Sequence, residues 1–176
     1  MEIGKSLQMA YQQGTYVRLG LEEGGHEGFI VGLSKQFVLL QAIHEWQDVG
    51  ALVVPIEMVE DCETSEFHDA QLKILDFNSV KRTKRYAWVK LGSYADLFQS
   101  LKVKNKFVVV SLEEDADVGQ VVSVSKDSVD LKGVDPGGNW IAEELDCPFE
   151  EITLIQFDDS YSRTLQRYVE RTEAMN

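Results

Sequence analysis

The chain has 176 residues, 44% of them apolar, which is enough for one large or two small domains with a real core. Seventeen Lys and Arg against thirty Asp and Glu leave a net charge of -13. That charge repels polyphosphate and anionic lipid, so it argues against DNA binding or membrane-surface binding and disfavours RNA. The longest apolar runs, such as 51–56, fall far short of the ~20 residues that span a bilayer, and no apolar leader follows the acidic N-terminus, so a cytoplasmic location is expected. Two cysteines, Cys62 and Cys147, sit in no Cys-x-x-Cys spacing and read as reduced and structural.

In chain order, residues 3–12 have a weak helical pattern. Period-two segments follow at 16–21, 28–33, 37–43 and 51–56, with Glu22-Glu23-Gly24-Gly25 and Ser34-Lys35-Gln36 as turns between the first three. Residues 76–92 form a basic connector. A helix is expected over 93–101, where Ser93 with Asp96 three residues on makes a capping-box-like start. Strands are expected again at 107–112, 119–124, 128–134, 140–145 and 152–157. A closing helix over 159–174 has Asp159 or Ser160 as cap and Tyr161, Leu165, Tyr168 and Val169 as its apolar stripe, with Arg163, Arg167 and Arg171 along another face. Pro55 belongs at an edge or bulge, since it has no N–H to give to a central ladder.

Set against itself with an offset of 91, the chain matches without a gap from 17–43 to 108–134. Val17/Val108, Leu21/Leu112, Glu22/Glu113, Glu23/Glu114, Gly28/Gly119, Val31/Val122, Ser34/Ser125, Lys35/Lys126 and Leu40/Leu131 are identical pairs. The pattern reads as an internal duplication. Strands of five to seven residues at this spacing form a meander that must curl to bury its apolar face. Gly28 and Gly119 suit a strongly bent strand where a side chain would collide.

A short helix, then bent antiparallel strands joined by an acidic turn, a Gly-x-apolar strand and a second short turn, resembles the Sm-like barrel of the SH3-like group, of the bacterial and phage type. The resemblance implies a mainly β chain of two tandem five-stranded barrels: residues 1–75 with an N-terminal helix, the connector 76–92, and residues 93–176 with a preceding and a C-terminal helix. The RNA-binding signature of that family is missing. Ser34 and Ser125 stand at its Asp-like positions, Val38 and Val129 at its Asn-like positions, and no Arg-Gly pair occurs. What the resemblance still implies is assembly through barrel edges, by self-association or with a protein partner.

Residues 76–106 hold eight Lys and Arg against Asp76 and Asp96, a local +6 that leaves -19 on the rest. Within this stretch Lys81, Arg82, Lys84, Arg85, Tyr86 and Trp88 are the candidate partner-binding residues. Cations mixed with aromatics grip single-stranded nucleic acid or acidic peptide. The competing reading is a structural strap that neutralises acidic surfaces. His26, His44 and His68 have no ligand-spaced partner, so no metal is expected. Ser123 and Lys126 match Ser-x-x-Lys only on paper, because i and i+3 diverge in a strand. No catalytic residues and no cofactor are assigned, and the chain reads as a non-enzymatic interaction module.

Overall fold

The computed structural model describes residues 2–176, and the chain divides into two compact units between Leu91 and Gly92. The fold is mainly β. In the first unit, helix α1 (Glu2–Gln13) leads into β1 (Tyr16–Leu21), β2 (Gly24–Leu33), β3 (Phe37–His44), β4 (Gln47–Pro55), β5 (Asp61–Glu63) and helix α2 (His68–Phe77). In the second, α3 (Tyr94–Val103) precedes β6 (Phe107–Leu112), β7 (Ala116–Val124), β8 (Ser128–Val134), β9 (Trp140–Pro148), β10 (Ile152–Phe157) and α4 (Ser160–Met175).

Each unit carries one five-stranded antiparallel sheet, in the order β5-β1-β2-β3-β4 and β10-β6-β7-β8-β9. Within neither unit does a ladder join the two edge strands, so each sheet is bent but not closed by hydrogen bonds. The registers coincide at the offset of 91. Val17 faces Gly28 and Gly28 faces Ala42, as Val108 faces Gly119 and Gly119 faces Gly133. The second ladder slips between Ile30 and Gly32 in one unit and between Val121 and Ser123 in the other. A Cβ on Gly28 would sit 2.0 Å from the carbonyl oxygen of Gln41, and one on Gly119 would sit 2.2 Å from that of Lys132. Neighbouring backbones thus close to a distance that only glycine permits.

Several strands outrun their sequence patterns. β2 begins at Gly24 and β7 at Ala116, leaving two and three residues for the acidic turns, because the bent hairpin arms stay paired past the last apolar residue. Pro55 and Pro148 both end a strand and start a one-turn 3-10 helix, at 56–58 and 149–151, where a missing N–H costs no ladder bond. Ser93 caps α3 by accepting from the Asp96 N–H, and Asp159 caps α4 by accepting from the Ser162 N–H.

Helix α2 and strand β5 carry no sequence signal of their own. β5 is only three residues long and exists through its pairing with β1. α2 has no side-chain cap and places apolar groups on opposite sides: Leu75 is buried, whereas Ile74 and Phe77 are exposed. A helix with apolar residues all round gives no clean period.

Each unit's last helix packs a buried side chain against its sheet. Leu75 packs on Tyr16, Phe29 and Ile43 with Trp46 and Leu72 at the margin, while Val169 packs on Phe107 and Val134 with Trp140 and Leu165. Trp46 and Trp140 are thus part of these helix-to-sheet contacts. Of the expected stripe on α4, Val169 is buried and Leu165 half-buried, but Tyr161 and Tyr168 are exposed. Seven consecutive residues of β3, 37–43, are buried, so this strand is covered on both faces.

Candidate functional site

The connector is the most basic stretch of the chain, and the first unit folds it down. At the end of α2, the Val80 N–H donates to the Leu75 carbonyl and Ser79 takes a left-handed φ of 59°, which turns the chain back over the sheet. What holds it there is Gln41, a residue of β3 that is 1% exposed. Its amide Nε2 donates to the Lys81 carbonyl at 2.9 Å and to Asp48 Oδ2 at 2.8 Å, and its Oε1 accepts from the Thr83 N–H at 2.8 Å. One buried amide thus satisfies two backbone groups of the connector and one carboxylate oxygen, as a polar group inside a sheet must.

The six sequence-predicted residues divide in role. Arg82 donates to the Ile30 carbonyl at 2.9 Å and the Tyr11 carbonyl at 3.0 Å, with its guanidinium 5.4 Å from the Tyr11 ring centre. Arg85 donates to Asp48 Oδ1 at 2.8 Å and to the Tyr86 hydroxyl at 2.6 Å, and its guanidinium lies 4.7 Å from the Tyr86 ring centre. Tyr86 is 2% exposed and Trp88 half-buried. Lys81 pairs with Asp76 at 3.1 Å across an exposed surface, and Lys84 is exposed. Two arginines and the tyrosine therefore fasten the strap, and the two lysines face solvent. Gln41 and Asp48 are the site residues that sequence reading missed. The only signal for Gln41 was an amide interrupting an apolar strand, and its counterpart at the offset of 91 is Lys132, so the repeat does not mark it.

The other candidates lie apart from the connector. His26 is in β2, where burial pushes its pKa down; His44 ends β3 and is exposed; and His68 begins α2, its Nε2 accepting the Tyr16 N–H at 3.3 Å. Among the described residues, no three His, Cys, Asp or Glu side chains come together as a metal site. Ser123 donates from β7 to Asp130 of β8, while Lys126 lies in the following turn, so the pair does not converge. Glu22 and Glu23 are solvated at a hairpin tip, as are Glu113 and Glu114. Tyr16 donates to Glu27 Oε2 at 2.7 Å, and burial followed by that neighbour drives its phenol pKa up.

Both cysteines are free. Burial, and then the nearby Asp117 carboxylate, push the Cys147 thiol from 9.0 up to about 12, and burial with Asp61 pushes Cys62 up to about 11. A pKa raised in the folded state stabilises fully below the unfolded value and is lost as pH climbs through the folded one. Urea midpoints should accordingly hold level up to pH 9 and fall between pH 9 and 11, and a Cys147→Ala, Cys62→Ala double variant should show a shallower fall. Midpoints that stay level through pH 11 would contradict the thiol burial.

Comparison of the chain with protein-family models, with curated proteins and with solved structures found no match.

Proposed function

We propose that the chain is a tandem pair of Sm-like modules, descended from one duplicated unit, that works as a non-enzymatic assembly protein through its sheet edges. The observation that carries this reading is the coincidence of strand order, glycine contacts and ladder slips at one offset in the two units. The edges supply the means. β5 and β9 each pair with a single strand, and β9 is nine residues long with 141–144 exposed. A long strand with unpaired N–H and C=O groups is a template for another strand. Backbone pairing and apolar burial are little screened by salt, unlike contacts between surface charges.

Light scattering on the full chain tests the reading. The expected result is a discrete multimer whose mass is the same in dilute buffer and at 1 M salt. Ala142→Pro and Glu143→Pro, made separately, place the lost N–H on opposite sides of β9. One of them should dissociate the multimer while its circular dichroism stays that of the parent. A monomer at every concentration, in dilute buffer as at high salt, would rule the assembly role out.

A further inference from the structure

The folded connector encloses a groove of about 520 Å³, open to solvent and lined by Gln41, Asp48, Ser79, Thr83 and the cations Lys81, Arg82, Lys84 and Arg85. Four cations against Asp48 in the lining and Asp76, which pairs with Lys81, leave a local +2 on a chain of -13. We infer that this groove is a binding site for a compact phosphoryl anion, held by Lys81 and Lys84 against a rigid floor made by Gln41, Arg82 and Arg85.

Preorganisation is the first reason. Arg82 is fixed by two carbonyls, neutral acceptors that leave its charge uncancelled, and Arg85 is fixed by Asp48 and Tyr86. The Thr83 backbone is clamped by Gln41. An incoming anion meets positive charge already in place and orders only two lysine side chains, so little of its binding energy goes into arranging the site. The negative end of α2 lies nearby, but its last carbonyls already accept the Asn78, Ser79 and Val80 N–H groups. Shape and composition give the second reason. Grip on a nucleic-acid strand combines cations with aromatic faces for base stacking, whereas Tyr86 is 2% exposed and no aromatic side chain lines the groove. Charge without a stacking platform matches a single oxyanion group, either a free phosphate or one carried on a phosphorylated side chain.

The test is a titration of the full-length, isotope-labelled protein at low salt, followed by amide resonances, with three probes: sodium pyrophosphate, a phosphoserine peptide and a ten-nucleotide oligouridylate. Pyrophosphate should move the backbone amides of 79–85 and the Gln41 side-chain amide in a saturable way. Lys84→Ala and Lys81→Ala should each weaken binding about tenfold, the scale of one charge-assisted contact. Lys126→Ala should leave it unchanged. Tighter binding of the phosphopeptide than of pyrophosphate assigns the site to a phosphoryl group on a protein partner, and the reverse order assigns it to a free phosphate. The proposal fails if pyrophosphate moves nothing at millimolar concentration, or if shifts spread equally to Lys35 and Lys126. It also fails if the oligouridylate binds more tightly than either phosphate probe and perturbs the Trp88 indole.

Discussion

Replacing Gly28 with alanine is expected to destabilise the first unit by about 3 kcal/mol, at the upper end of what overpacking costs. The added Cβ would lie 2.0 Å from a backbone oxygen, Gln41 O, and 3.1 Å from the Leu40 Cγ, so the relief must come from moving one strand off another. The Leu40 side chain can give by a few tenths of an ångström, but the closest obstacle is backbone, which no rotamer change can move. In a unit of this size, that loss lowers the melting temperature by roughly 12 °C or more. Gly119→Ala should do the same to the second unit, since its Cβ would lie 2.2 Å from Lys132 O. Gly4 is the control: a Cβ there meets nothing within 4 Å, and alanine at this exposed position of helix α1 should hold or slightly raise the melting point. Melting curves for the three variants decide the matter, and a Gly28→Ala protein that melts with the parent would refute the close approach of β2 and β3.

A comparable effect is expected from Gln41→Leu, which keeps the volume but removes the clamp. The Thr83 N–H and the Lys81 carbonyl lose their partner together, while Asp48 keeps Arg85 and the Gly50 N–H. Leaving part-buried polar groups unmet costs about 1 kcal/mol each, the low end for buried ones, so a total of about 2 kcal/mol is expected, much of it expressed as local opening of the connector. Lys81, Arg82, Lys84 and Arg85 make that opening easy to read, since trypsin cuts after each of them once the backbone is released. Wild-type protein should resist cleavage between 81 and 86, and the variant should be cut there at least about tenfold faster. Equal cleavage rates would mean that the connector is held by something other than Gln41. Arg82→Gln offers a second reading of the same clamp, because its two carbonyl contacts can be only partly replaced.

Much of the fold was legible because its signals are local. Alternation of apolar residues marks β1 and β8 and short apolar runs mark β3 and β6, all within a residue or so, and the Ser93 and Asp159 caps fall where hydroxyl and carboxylate precede an apolar period. The site was only half legible. Its cations stand out in the sequence, but which of them are spent on structure depends on carbonyls and carboxylates far along the chain: Ile30 and Tyr11 for Arg82, Asp48 for Arg85. Tyr86 looked like a stacking surface because composition says nothing about burial.

By itself, then, the sequence determined the strand segments, the capped helices, the acidic turns and the two glycines, all of which follow from side-chain period, capping chemistry or a recurring offset. Tertiary structure alone decided the existence of α2 and β5, the burial of β3 on both faces and the folding of the connector onto Gln41. Those features arise from pairings between residues up to 71 positions apart, such as Arg82 with Tyr11, which no local pattern encodes. A buried amide is recognisable only once the groups that satisfy it have been brought to its side.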